Sequence, residues 1–264
     1  YNGMEMLSRA SINAISTPYD GSLPSALEEA ILSDSKRHSR SFARGCVLIN
    51  SPNNPSGGII SNPEMVLEVA KRHDLMIISD DVYHAYVFDG IKNPFMYSLP
   101  GAKQHVLVAN SVSKSFSMTG FRVGCLAGPK EFISAATNAH ANLLTCLPGF
   151  IQVAAARALE STPDELEVLS DRVSQYQRRR DMMHDGVVEL YGPQVKPQGT
   201  FFYWLNISRF PFDAMEFSKR LLEEELVAVA PGNVFGDSSH VRFSLTLPSE
   251  DITLAVERLN RFAK

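Results

Sequence analysis

The stretch Cys46-Val-Leu-Ile-Asn50, followed at once by Ser51-Pro-Asn-Asn-Pro-Ser-Gly-Gly58, decides how this chain is read. A short apolar run ending in a dense cluster of turn formers predicts a buried strand that stops at a loop rich in amides and prolines. A helical pattern follows over 63–73, with Met65, Val66, Val69 and Ala70 at helical spacing, Asn62 as the expected N-cap and Pro63 as the first helical residue. Leu75-Met-Ile-Ile-Ser79 and Val106-Leu-Val-Ala109 repeat the strand pattern, and 121–127 reads as a fourth strand interrupted by Gly124. Strand, loop, helix and strand repeated in this way predict an α/β fold: a three-layer large domain whose sheet is mostly parallel and covered by helices.

Beyond this region the pattern changes. A long charged helix is expected over 163–190, an aromatic-rich strand over 200–207, an amphipathic helix over 212–225 and an alternating strand over 240–246. Ser249, just after Pro248, is expected to cap a last helix that ends at Phe262. These elements suggest a smaller α+β domain, with the boundary near residue 180, dividing 1–180 from 181–264. Arg178-Arg-Arg180 lies in the charged helix and is expected on a solvated face. Met182-Met-His184 and Phe201-Phe-Tyr-Trp204 are expected in the core.

The 264 residues are 44% apolar and 20% charged, which excludes a disordered or collagen-like chain. Lys plus Arg number 25 against 29 Asp plus Glu, a net charge of −4 that argues against a nucleic-acid or anionic-membrane surface. No stretch approaches the roughly 20 apolar residues of a membrane span. Three cysteines, Cys46, Cys125 and Cys146, form no C-x-x-C pair and no disulfide framework. Cys46 and Cys125 sit in apolar runs and are expected as buried free thiols, in a reducing cytoplasm. The seven histidines show no metal-ligand spacing.

In a parallel α/β sheet, ligand-binding groups gather at the carboxyl ends of the strands. Here the first strand leads to Asn50, Asn53 and Asn54, the second to Asp80, Asp81 and Tyr83, and the third to Ser111-Val-Ser-Lys114, with Gly120-Phe-Arg122 soon after. One rim thus collects an amide, a carboxylate, a phenol, a lysine, hydroxyls and an arginine. Lys114 has the chemistry of a Schiff-base lysine. Ser111 and Arg122 suit a phosphate, Asp80 a protonated pyridine nitrogen, and Asn54 and Tyr83 a phenolate oxygen. An aldehyde, a phosphate, a pyridine nitrogen and a phenolate oxygen together describe pyridoxal phosphate.

The chain resembles fold-type-I pyridoxal-phosphate enzymes of the class I/II aminotransferase family. The matching segments are Asn53-Asn-Pro-Ser-Gly57, Ser79-Asp-Asp-Val-Tyr83, Ser111-Val-Ser-Lys-Ser-Phe-Ser-Met-Thr-Gly-Phe-Arg-Val-Gly124, and Pro231-Gly-Asn-Val-Phe-Gly236 followed by Val241-Arg-Phe-Ser244. They occur in family order. The resemblance implies that Lys114 forms the Schiff base and shuttles a proton, and that Asp80, three residues before Tyr83, pairs with the pyridinium, leaving Asp81 at a position not used for this. It implies Tyr83 and Asn54 at the phenolate oxygen, Ser111 and Arg122 at the phosphate, and Arg242 on the substrate α-carboxylate, with Asn54 also among the substrate-binding residues. A cis peptide often occurs at the position of Asn54-Pro55 in the family. Tyr1 matches the aromatic that stacks on the cofactor ring. Family members carry a further segment before the position of Tyr1, so the chain reads as N-terminally truncated.

The activity implied is amino-group transfer between an α-amino acid and a 2-oxo acid in a cytoplasmic homodimer. A lyase or β/γ-replacement enzyme, including an aminocyclopropane-carboxylate-synthase-like one, uses the same apparatus and stands as the alternative. A truncated, non-catalytic remnant is the further one.

Overall fold

The computed structural model describes residues 12–15, 21–38 and 45–264. Tyr1 lies outside them. Helix α1 (Leu23–His38) leads to strand β1 (Cys46–Asn50), helix α2 (Pro63–Arg72), β2 (Met76–Asp80) and β3 (Val106–Ser111). A single helical turn, α3 (Val112–Ser115), precedes β4 (Gly124–Ala127), α4 (Lys130–Leu144) and α5 (Gly149–Leu159). The long α6 (Pro163–Tyr191) runs continuously through residue 180 to β5 (Phe202–Asn206), α7 (Ala214–Glu225), β6 (Ala230–Pro231), β7 (His240–Ser244) and α8 (Ser249–Phe262).

Among the described residues the first sheet has the order β1-β2-β3-β4. The first three strands are parallel, with Asn50 beside Asp80 and Asp80 beside Ala109, so their carboxyl ends are level. Helix α2 buries Pro63, Val66, Leu67 and Ala70 on one stripe, the spacing of a helix face. Val66, Leu67 and Ala70 join Leu27 of α1, Ile49, Ile77 and Val106 in one core cluster. Asn62 occupies the expected N-cap position but makes no side-chain capping bond; the missing N–H of Pro63 already removes one donor there.

The fourth strand departs from expectation. It begins only at Gly124, because Phe121 lies in a 3-10 turn and Arg122 has a left-handed backbone (φ 54°), and it pairs antiparallel with β3. All four of its residues are exposed. Cys125 is therefore exposed rather than buried, as is Cys46 at the opening of β1; an apolar neighbourhood in sequence does not bury a residue at a strand start or on an outer strand. Leu143, Leu144, Phe150, Val153 and Leu159 of α4 and α5 are exposed as well.

The second sheet has the order β5-β7-β6, antiparallel. Strand alternation divides β5 between two environments. Tyr203 and Leu205 enter the cluster with Phe217, Val241, Phe243 and Leu259, whereas Phe202 packs with Tyr83 and Tyr86. In the same way Arg242, between the buried Val241 and Phe243, faces away from that core. Asp213 caps α7 by accepting from the Glu216 N–H at 3.0 Å. Ser249 does not cap α8 but is its first helical residue, with extended Pro248 at the cap position and Glu250 and Asp251 supplying negative charge to the first turn.

Arg180 is not solvated. It is 1% exposed and clamps Asp89 with two bonds of 2.6 and 2.8 Å, while also donating to Asp181 and to the Pro197 carbonyl. Arg178 does lie exposed. Met183 is buried as expected, but its neighbour Met182 is 37% exposed. Near this clamp the 198–200 segment pairs with 86–88: Thr200 N–H donates to the Tyr86 carbonyl and Phe88 N–H to the Gln198 carbonyl. Gly199 is required by that approach, since a Cβ there would lie 2.5 Å from the Tyr86 carbonyl oxygen.

Candidate active site

The loop after β1 is built around Asn50, 5% exposed at the strand end. Its side-chain amide donates to the Asp80 carbonyl at 2.9 Å, and its oxygen accepts the Asn54 N–H at 2.7 Å. The Ser51-Pro52 and Asn54-Pro55 peptides are both cis. Asn50 thereby fixes both the loop carrying Asn54 and the end of β2. Sequence reading placed it on the rim without a role, although a buried amide at a strand terminus was a usable signal.

Asn54 in turn meets Arg242. The guanidinium donates to Asn54 Oδ1 at 2.7 Å across 188 positions of sequence. It lies 4.2 Å from the ring centroid of Phe202 and 4.9 Å from that of Phe235, between two aromatic faces that desolvate it without neutralising it. Burial lowers its pKa from the ordinary arginine value, with Tyr83 opposing. The sequence placed Phe202 only in the core and Phe235 only within the Pro231–Gly236 motif, with neither assigned to the site.

Tyr83, 5% exposed, packs edge-on against Phe201 and Phe202 at 5.5 and 5.8 Å. Burial pushes its phenol up to about 12; Arg242 opposes this and Asp80 adds to it. The phenol therefore stays a proton donor at neutral pH. The Lys114 Nζ lies 5.9 Å from the ring centroids of both Tyr83 and Phe201. Lys114, Tyr83, Asn54 and Arg242 are thus linked through shared neighbours.

Asp80 is half-buried and accepts the Val82 N–H at 3.3 Å. Next to it, Asp81 is 3% exposed and accepts from the Ser79 hydroxyl at 2.7 Å. Its other carboxylate oxygen has no hydrogen-bond partner among the described residues. Burial pushes its pKa up to about 6; the Ser79 bond pulls it down and Asp80 pushes it further up.

Ser111 and Arg122 lie at the same end of the sheet, in more local bonding. Ser111 is the N-cap of α3: its hydroxyl accepts the Ser113 N–H at 2.9 Å and donates to the Val123 carbonyl at 3.2 Å, tying the lysine turn to the segment that follows Arg122. Arg122 is exposed and donates to the Thr119 carbonyl of its own loop at 3.1 Å. Tyr1 falls outside the described residues.

The chain matches the Aminotransferase class I and II family over residues 12–259. It is 34% identical over 222 residues to aromatic-amino-acid aminotransferase 2 of Thermococcus litoralis, covering 83% of this chain and 57% of that protein. Arginine–pyruvate transaminase of Pseudomonas aeruginosa is 37% identical over 216 residues, covering 80% of this chain and 54% of that one. Among solved structures, the aromatic aminotransferase of Pyrococcus horikoshii superposes with a TM-score of 0.80 at 31% identity, over 88% of this chain and 62% of that one. The chain thus spans between 54% and 62% of the length of these proteins. With the level strand ends, the lysine turn and the Arg242–Asn54 contact in place, it belongs to the class I and II aminotransferase family.

Proposed function

We propose that the chain carries the cofactor- and substrate-binding residues of a pyridoxal-phosphate-dependent aminotransferase that moves an amino group between an α-amino acid and a 2-oxo acid. The observation that carries this reading is the half-buried Arg242, held by Asn54 at 2.7 Å between two aromatic rings, one of which, Phe202, packs on Tyr83, whose ring the Lys114 amine approaches at 5.9 Å. A desolvated fork of N–H donors is suited to a carboxylate, and an amine with a neighbouring phenol is suited to carbonyl chemistry.

The donor set fits pyridoxal phosphate: an amine, a carboxylate at a strand end, a buried phenol, and a hydroxyl and guanidinium at the adjoining loop. When bound, this cofactor supplies an aldehyde for capturing amino groups and a ring that takes up electrons. Lys114 would hold it through Nζ and, once the substrate's amine has displaced that bond, would move a proton with the freed amine. Asp80 keeps a proton on the ring nitrogen. Tyr83 Oη and Asn54 orient the phenolate oxygen, and Ser111 and Arg122 bind the phosphate. Arg242 orients the substrate through its α-carboxylate, with Asn54 fixing the guanidinium. Tyr1 is assigned the stacking role on resemblance alone.

The relatives are named for transfer to and from aromatic amino acids, aspartate and arginine, which favours transfer over the lyase or replacement reading. We also propose a division into a cofactor-binding unit, 1–180, and a smaller unit, 181–264, and assembly as a homodimer. The exposed apolar side chains of α4 and α5 support a covered face. A cytoplasmic setting is proposed on three thiols that form no disulfide.

The test is an absorption spectrum with added pyridoxal phosphate, then borohydride reduction and peptide mapping. A visible band with the adduct on Lys114, converted stoichiometrically to pyridoxamine phosphate by an amino acid, is the expected result. Label spread over surface lysines would refute the assignment of Lys114. Release of ammonia without pyridoxamine phosphate would refute transfer.

A further inference from the structure

The turn that carries Lys114 is gripped from two sides by residues outside the matching motifs. From the loop after β2, the Tyr86 hydroxyl donates to the Lys114 carbonyl at 2.7 Å. From α6, Arg172 Nη1 donates to the Ser115 carbonyl at 3.1 Å and to Ser117 Oγ at 3.0 Å. Ser117 has a left-handed backbone (φ 56°), a conformation that costs a residue with a Cβ and persists only when its surroundings hold it. Arg172 supplies that hold directly, through the Ser117 side chain and the carbonyl two residues earlier.

Tyr86 is itself fixed. It is 2% exposed, and its ring stands edge-on to Tyr176 of α6 at 5.5 Å and to Phe201 at 5.4 Å. Phe201 is the ring that the Lys114 Nζ also approaches at 5.9 Å, so one aromatic side chain touches both ends of the arrangement. Burial pushes the Tyr86 phenol up in pKa, with Arg172 opposing, which keeps it a donor. The Lys114 carbonyl also accepts the Ser117 N–H at 3.2 Å, so losing the Tyr86 hydroxyl does not strand it. The hydroxyl is therefore not needed merely to satisfy a buried acceptor. It adds a tether between the lysine turn and a rigid aromatic cluster.

We propose that Tyr86 and Arg172 are positioning residues that lock the Lys114 turn, so that its amine is presented in one orientation to an incoming aldehyde. The proposal rests on the reading of Lys114 as the cofactor-binding amine.

The experiment compares the full chain with Tyr86→Phe, Arg172→Met and Arg172→Lys, using two readouts. Hydrogen–deuterium exchange of the 113–117 amides reports the turn without any cofactor. The rate of formation of the visible band with pyridoxal phosphate, mapped by borohydride to its lysine, reports presentation of the amine. Tyr86→Phe and Arg172→Met are each expected to speed exchange and slow band formation by about fivefold, the loss of one or two ordinary hydrogen bonds. Arg172→Lys is expected to restore part of both, since an ammonium reaches one acceptor more readily than two. Melting temperatures that stay close to the parent chain distinguish this from general unfolding. Unchanged exchange, or faster exchange with an unchanged band rate, overturns the positioning role. Wild-type label found elsewhere than Lys114, while exchange still responds to the variants, removes the parent reading and the positioning role with it, but leaves the tether as a structural fact.

Discussion

Replacing Arg180 by Met removes a guanidinium that is 1% exposed while keeping a side chain of similar reach. The lost interactions are the two-pronged bond to Asp89, the bonds to Asp181 at 2.8 and 2.9 Å, the 2.9 Å bond to the Pro197 carbonyl, and the stack 4.9 Å over Phe88. Removing one partner of a fully buried pair costs about 3–5 kcal/mol, because it strands the other charge. Here the stranded charge is Asp89, which is 46% exposed and recovered in part by water, while Asp181, 36% exposed, keeps its pair with Lys196 at 2.7 Å. The carbonyl that loses its donor adds about 1 kcal/mol, and Met regains some packing. The expected net loss is about 2–4 kcal/mol, read as a shift in the urea midpoint with an unchanged slope. Far-ultraviolet dichroism and the fluorescence of Trp204, the only tryptophan, follow the transition. Arg178→Met, on the exposed face of the same helix, is the control and is expected to stay within about 0.5 kcal/mol. The hydrogen bond from Arg180 holds the Asp89 carboxyl below its ordinary pKa. That part of the difference is present above the ordinary carboxylate range and is lost as pH falls through the depressed value. Equal effects of the two substitutions would refute the view that Arg180 fastens α6 to the 87–90 turn.

Asp81→Asn addresses pH. Burial raises the folded pKa to about 6 from 3.8, so the folded chain holds the proton more tightly and stability falls as pH rises through this window, by up to about 3 kcal/mol. His84, stacked on Phe95 and pushed down to about 4 by burial, contributes the opposite slope up to its ordinary 6.5. Urea midpoints at pH 4.5 and 7 are expected to show the variant gaining on the parent as pH rises; a constant difference would contradict the assigned burial. Gly199→Ala places a methyl 2.5 Å from the Tyr86 carbonyl and 2.8 Å from Pro52, and a loss of about 1–3 kcal/mol in thermal or urea unfolding is expected. Arg242→Lys replaces the fork by a single ammonium, and kcat/KM is expected to fall about 10- to 100-fold in steady-state assays, the loss of a charge-assisted bond or two; an unchanged value would remove Arg242 from the substrate.

Strands β1 to β5 and β7 and helices α2, α6, α7 and α8 were legible because burial imprints a period on local sequence, whereas α1, α4, α5 and β6 were not read from it. The runs at Cys46–Asn50 and Leu75–Ser79 read as strands, the second forming one residue later as Met76–Asp80, and the stripe on α2 as a helix, since each needs only neighbours a few residues away. The same holds for the rim, because the carboxyl ends of parallel strands are fixed once the strands are. Lys114, Asp80, Tyr83 and Asn54 could be placed there without coordinates. What only the tertiary structure decided are the matters that depend on partners far along the chain. Arg180 looked like one of three solvated arginines, and its burial is set by Asp89, 91 positions away. The Phe202 and Phe235 rings enclose Arg242 only once two sheets meet. Tyr86 reaches the Lys114 carbonyl across 28 residues, and Arg172 reaches Ser115 across 57, contacts that no local period encodes. Cys125 and the direction of β4 belong with these, since an outer strand and an inner one carry the same apolar letters. Sequence records which residues prefer to leave water; which of them do so, and beside what charge, is settled by the packing of distant segments.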